Sequence, residues 1–442
     1  MAVEKSKIIQ RTLFAWFWVM VCTGFVCEEI LFPLKSLTNT IFLLCDAVLM
    51  VLGLWTIRHR FDWFILLSYG AISFWSTCYV NHSSIIIWLN GSRDMFGILF
   101  MCPILRFFWD DLSRREKFVK MLDKHLYVFL VVQVICVPYQ YFKYGAGDHV
   151  GGSMGDGFSG VLTLSVFLIS FYLLHKHINK EHFVTSIVKN WVYLFFLFPT
   201  FLNETKVSFV LLIIYFLLLI PIDRKLFFRI LIALPVTVLI LGVFMTVYNS
   251  VSKDNSELNR DVLDMEFLSE YMWVDFDEAE GQASWALNDQ GITPDIPRLT
   301  KIAFMFVIME DNPDRLWSGF GMGMNKGGTT LAVTEFAQEY DWLVEGTTVT
   351  VFSVFMQLGI VGSVWAVVFF CSLFFRRPPQ SPVRDTNLQL FVLSLILLLL
   401  VYADFWRVSQ FCFLCFAAIY LSWNVGEEDS TKMLTEPQTV EM

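Results

Sequence analysis

Long apolar runs recur along the chain, and they constrain its fold more than any other feature of the sequence. A helix needs about 20 apolar residues to cross the ~30 Å hydrocarbon core of a bilayer. Charge-poor stretches near that length fall at about 11–31, 37–57, 61–80, 94–109, 126–143, 157–175, 186–202, 206–222, 226–249, 347–375, 387–403 and 407–424. This pattern predicts an all-α polytopic membrane protein with roughly twelve transmembrane helices and the lipid bilayer as its solvent. Composition agrees, with 45 Phe residues and a mean hydropathy of +0.58. The first run lacks a small-residue cleavage site, so it reads as a retained span rather than a signal peptide.

Lys and Arg mark cytoplasmic loops. With the N-terminus inside, the inner loops hold Arg58, Arg60, the basic stretch from Arg106 to Lys124, Lys176, Lys180, Lys189, Arg224, Lys225, Arg229, Arg376, Arg377 and Arg384. The short outer loops hold only Lys35, Arg93, Lys143, Lys206 and Arg407. Both termini are therefore expected in the cytoplasm. The organisation that follows is helices one to nine in 1–250, a large external segment in 251–346, helices ten to twelve in 347–424 and a cytoplasmic tail in 425–442.

The external segment breaks the alternation of helix and short loop. It carries 19 Asp/Glu against 6 Lys/Arg, while the rest of the chain is net basic. Such a balance argues against nucleic acid as a partner, because that needs a basic face. The nine cysteines lie in or beside apolar runs and imply no disulfide framework. Within the segment, "PDIPRLTKIAFMFVIMEDNP" opens on a proline, puts Arg298 and Lys301 in its first turn and is too short to span. It reads as an amphipathic helix lying in the interface.

Ionisable groups at the mouths of spans are costly and are functional candidates by default. On the outer side these are Arg93, Lys206, Arg298 and Arg407. Each also has a local explanation as an interfacial anchor, with Arg93 beside Asp94, Lys206 beside Glu204 and Arg407 beside Asp404. Clustered, they would suit a strongly anionic ligand such as a diphosphate at the membrane surface. Two glycine-rich outer segments accompany them. Tyr141–Gly160 carries Asp148 and His149, and Leu316–Gly328 carries Gly319, Gly321 and Gly323. Either could be turn chemistry or a close backbone approach to a substrate.

The amphipathic helix led by Arg298, the following "NPDRLWSGFGMG" and the span "TTVTVFSVFMQLGIVGSVWAVVFF" together resemble the O-antigen ligase and polymerase superfamily. Thr205-Lys206 is similar to that family's basic step at the start of a span, and "LNGSRDMFGILF" to an early segment with an outer Arg. The resemblance implies a GT-C-like fold in the bacterial inner membrane. It also implies glycosyl transfer on the periplasmic face from an undecaprenyl-diphosphate-linked oligosaccharide donor to an acceptor of the same kind, with no cofactor and no bound metal. A chain-length regulator is the expected protein partner, and the product would be O-antigen, capsule or exopolysaccharide. Thr348 stands where the family's ligase histidine would fall, and threonine is no general base near neutral pH. A polymerase is therefore favoured over a ligase, with a polysaccharide or lipid transporter as the competing class. Arg298, Lys206 and Arg93 are the expected stabilisers of the leaving diphosphate, and Glu345 is the expected base. Arg407, Arg315, His149, Asp148, Gly319, Gly321 and Thr348 complete the expected substrate-binding set.

Overall fold

The computed structural model describes residues 2–31, 37–145, 147, 149–178, 182–203, 207–219, 296, 298–324, 334–344, 349–378, 383–405 and 408–424. These residues are mostly helical, as the apolar runs require. Among the described residues, seven helices are long and apolar enough to cross a membrane: α1 (Ala2–Phe25, continued by a π turn at Val26–Ile30), α2 (Thr38–Thr56), α3 (Arg60–Phe74, continued by a π turn at Trp75–Val80), α4 (Ile85–Trp109), α5 (Leu112–Tyr144), α6 (Ser159–Lys176) and, later in the chain, Thr350–Phe375. The run expected at 186–202 is instead a bent pair, with α7 (Phe183–Lys189) set at 62° to the stretch holding α8 (Val192–Phe195) and α9 (Pro199–Leu202). Beyond them come α10 (Val207–Leu219), α11 (Arg298–Asp311), the short α12 (Glu335–Glu339) and α13 (Asp341–Val344), α14 (Thr350–Phe375), α15 (Thr386–Tyr402) and α16 (Ser409–Leu421). The expected span at 226–249 and the tail lie outside the described residues.

Helix starts have local causes. Side-chain oxygens at N-caps take up backbone N–H groups that the first turn leaves unpaired. Ser84 accepts from Ile87 N at 3.3 Å, Asp111 from Arg114 N at 2.8 Å and Asp385 from Leu388 N at 3.2 Å. The caps explain two differences from the apolar runs. Charged residues are tolerated inside capped helices, so α4 begins nine residues before the expected 94 and α5 fourteen residues before the expected 126.

Packing separates a centre from a periphery. Along α6 and α16 nearly every side chain is buried, whereas α2, α3 and α14 turn Leu44, Val51, Phe64, Leu67, Val364 and Val367 outwards. A helix that is apolar all round belongs in a core or against lipid, and this bundle has both kinds. Stacked rings join the central helices, as where Phe171 of α6 meets Phe391 of α15 at 4.0 Å and Phe108 of α4 meets Phe118 of α5 at 4.3 Å.

The two ends of the bundle differ. One gathers basic side chains: Arg58 and Arg114 lie over Phe107 at 4.8 and 4.3 Å, Arg376 lies over Phe61 at 3.8 Å, and Arg106 pairs with Asp62. A two-residue antiparallel bridge, Val383–Arg384 with Trp423–Asn424, closes it. The opposite end carries both glycine-rich segments. There, residues 150–155 re-enter the bundle and are buried, with Gln140 Oε1 accepting from Gly152 N at 2.6 Å and Gln133 Oε1 from Ser153 N at 2.9 Å. Irregular backbone at such depth is tolerated only where protein satisfies it.

Candidate functional site at the glycine end

The glycine segment after α11 and the apolar helix α14 form a single piece of structure. Helix α14 breaks at Gly359, whose φ of 62° and ψ of −157° lie outside the helical region. A break strands carbonyls on one side and N–H groups on the other, and each costs several kcal/mol (~2–7) if left bare in an apolar setting. The strap 316–321 satisfies both sides. Phe320 N and Gly321 N donate to Met356 O and Gln357 O at 2.7 and 2.9 Å, and Ile360 N and Val361 N donate back to Leu316 O and Trp317 O at 3.0 and 3.3 Å. Such approach requires glycine on both partners: a Cβ at Gly319 would sit 2.5 Å from Gln357 C, and one at Gly359 2.5 Å from Trp317 C.

The π turn of α3 locks the strap from the other side. Ser76 Oγ donates to Ser318 O, Asn81 Nδ2 to Gly319 O at 3.0 Å, and Met322 N donates to Thr77 Oγ1 at 2.8 Å. Arg315 Nη1 donates to Asn81 Oδ1 at 2.6 Å and to Val80 O at 3.2 Å, and its Nε faces Asp314. Arg315, Gly319 and Gly321, expected in substrate binding, are thus brought together in a structural lock.

Arg298 takes another position. It is the first residue of α11, and its guanidinium lies 4.1 Å over the ring of Tyr402, at the end of α15. Helix α11 lays Thr300, Lys301, Phe304, Met305, Ile308 and Met309 against the protein and leaves Phe306 exposed. Its charges run against its dipole. Arg298 and Lys301 occupy the first turn, Glu310 and Asp311 the last, although a helix N-terminus favours anions. Just past Tyr402, Ala403 O accepts from Thr350 N at 3.0 Å and from Thr350 Oγ1 at 2.7 Å, and Ser353 Oγ donates to Asp404 Oδ2 at 3.0 Å.

Arg93 lies inside α4, not at its mouth, because that helix starts at Ile85. Its Nε is 2.8 Å from Asp94 Oδ1 and 3.2 Å from Asp46 Oδ2 of α2. His149 is exposed and meets Asp156 at 3.0 Å, near the ring of Tyr144. Lys206, Glu345, Thr348, Arg407 and Asp148 lie outside the described residues. Among the described residues, no three His, Cys, Asp or Glu side chains come together as a metal-binding group.

Between the strap and the helices is a small cavity of about 40 Å³, lined by Tyr69, Gly91, Asp94, Gly323, Gln357 and Asp404 together with apolar side chains. The sequence reading took Asp404 only as a neighbour of Arg407 and passed over Asn81, Thr77 and Tyr402. An acid bracketed by aromatics in "YADFW" was the available signal for Asp404. The chain matches no protein-family model and no curated protein.

Proposed function

We propose that this protein polymerises polyprenyl-diphosphate-linked oligosaccharide units on the outer face of a bacterial inner membrane. The product class is O-antigen, capsule or exopolysaccharide. The observation that carries the reading is Arg298, a guanidinium held over Tyr402 at the head of α11. Breaking a glycosidic bond to a diphosphate develops charge on the leaving oxygens, and preorganised cations at that point lower the barrier. A cation at a helix start is disfavoured by the dipole, and an anion bound there reverses the sign of that interaction. On this reading the bent pair α7–α9, the helices α10, α15 and α16 and the residues 226–249 join the seven long helices in a twelve-span, GT-C-like bundle with both termini in the cytoplasm. Lys206 and Arg407 are expected to add positive charge, while that of Arg93 is met by Asp94 and Asp46, and Glu345, Asp148 and His149 are expected on the same face. Thr348, in place of a ligase histidine, favours elongation over transfer to a lipid or protein acceptor, and a chain-length regulator is the expected protein partner.

The break in α14 also fits a transporter, since broken helices and buried charges such as Arg93 with Asp46 occur in transport folds. One assay separates the two. Purified protein is incubated with a synthetic polyprenyl-diphosphate oligosaccharide, in detergent for elongation and in sealed vesicles for movement. Longer lipid-linked glycans, lost in Arg298→Ala and Lys206→Ala and partly kept in Lys206→Arg, support the polymerase. Movement across the bilayer without elongation favours the transporter.

A further inference from the structure

Two cavities at the basic end of the bundle differ in their charges. In one, Arg115, Lys120 and Lys176 face Glu116, Asp123 and Asp385. The other, of about 230 Å³, is lined by His59, Arg106, Arg376, Arg377, Pro378 and Tyr420, with no carboxylate among the described lining residues. A water fills about 30 Å³ of liquid, so this space takes a phosphate group with waters around it.

One ring organises the cations. Phe61, in the first turn of α3, has the guanidinium of Arg376 at 3.8 Å and that of Arg106 at 5.6 Å from its centre. Arg106 is 7% exposed and donates to Asp62 through Nη1, while both oxygens of Asp110 meet His59 Nε2 at 3.2 Å. Arg376 caps the end of α14 and, among the described residues, forms no ion pair. Burial and then the like charge of Arg106 act to lower its pKa, against the opposing charge of Asp62. Two guanidiniums on one ring repel each other, and an oxyanion bound between them reverses that interaction.

We infer that this cavity binds a phosphate group, with Arg106 and Arg376 as its donors. Guanidinium N–H pairs match phosphate oxygens in geometry as well as in charge. Basic pockets between spans suit anionic lipid headgroups, and exposed Phe375, beside Arg376, and Phe64, one turn beyond Phe61, would face the acyl chains. A free phosphate presents the same oxygens without chains. The site is at the opposite end from the glycine strap and does not depend on glycan elongation.

The test measures binding to the purified full chain in neutral detergent, by native mass spectrometry and by the ligand-induced rise in unfolding midpoint. The probes are phosphatidylglycerol, phosphatidylcholine and inorganic phosphate. The proteins are wild type, Arg376→Gln, Arg376→Lys and Arg58→Gln, the last removing an equal charge at the same end outside the cavity lining. Arg376 is exposed, so its variants are expected to unfold within a few degrees of wild type without ligand. Wild type retains phosphatidylglycerol over phosphatidylcholine, Arg376→Gln binds it about 10-fold or more weakly, Arg376→Lys falls between, and Arg58→Gln binds like wild type. Phosphatidylglycerol binding that inorganic phosphate neither matches nor displaces assigns the site to a lipid headgroup; binding of inorganic phosphate that is lost in Arg376→Gln assigns it to a soluble phosphate. Binding of neither anion, equal retention of the two lipids without phosphate binding, Arg376→Gln that binds like wild type, or an equal loss in Arg58→Gln would each overturn the site.

Discussion

At the basic end of the bundle, side chains carry the contacts; at the glycine end, the backbone does. Arg58, Arg114 and Arg376 lie flat on phenylalanine rings, and Asp123 takes both Lys176 and the Tyr172 hydroxyl. A cavity of about 540 Å³ there is lined by Arg115, Lys120 and Lys176 and by Glu116, Asp123 and Asp385, so cations and carboxylates balance, with His175 beside them. Across the molecule, carbonyls and N–H groups of the strap complete a broken helix, and Arg298 rests on the ring of Tyr402. Exposed pairs such as Lys176 with Asp123 tolerate exchange, because each is worth little on its own. Backbone closure does not, because it depends on the absence of side chains.

Substitutions can break this contrast, and the largest effect is expected at the strap. Gly319→Val combines a left-handed φ of 67° with a clash against Gln357, costing on the order of 3–5 kcal/mol. The expected result is loss of monodisperse protein in detergent, and a well-folded variant would show that the strap is dispensable. Arg298→Ala comes next, with elongation down about 100-fold or more and thermal stability nearly unchanged. A rate within a few-fold of wild type would remove Arg298 from the chemistry.

Asn81→Ala leaves Arg315 Nη1 and Gly319 O short of a partner each. The loss of stability is about 1–3 kcal/mol, read as a shifted unfolding midpoint with little change in donor affinity. An equal loss of donor affinity would turn the lock back into a binding surface.

The smallest effect is expected at the basic end. Burial acts to raise the pKa of Asp385, but the hydrogen bond and charge of His175 at 2.9 Å and the N–H groups of Asn387 and Leu388 outweigh it and hold the carboxyl below its ordinary range. A depressed folded value contributes stability above the ordinary pKa of about 3.9 and loses it as pH falls through the folded value. Asp385→Asn should therefore lower the melting temperature by a few degrees or less at neutral pH, with the difference from wild type shrinking below about pH 4 and elongation unchanged. A loss of elongation there would tie the two ends together.

The helical, membrane-spanning class was legible in the apolar runs because one property, length without charge, decides whether a helix can span. Boundaries were less legible, since the caps at Ser84 and Asp111 carry helices past charged residues that hydropathy reads as loop. The helix at Arg298–Asp311 was legible in its extent because its apolar run is local. The union of Gly319 with Gly359 was not. Gly319 was singled out, yet nothing in segments forty positions apart says that the strap around it supplies the hydrogen bonds that the helix of Gly359 has lost. Asp404 was hidden for a similar reason: its neighbour in sequence is Arg407, but its described hydrogen bond comes from Ser353 on another helix.

The break at Gly359 also bears on how the chain enters a membrane. A helix with bare carbonyls and N–H groups nine residues from its start is a poor lipid passenger on its own. Residues 316–321 precede α14 in the chain, so the segment that completes the helix has already been synthesised when α14 emerges. Order of synthesis thus supplies the missing partner before the break needs it, and a chain with these two pieces exchanged would have to insert the broken helix unaided.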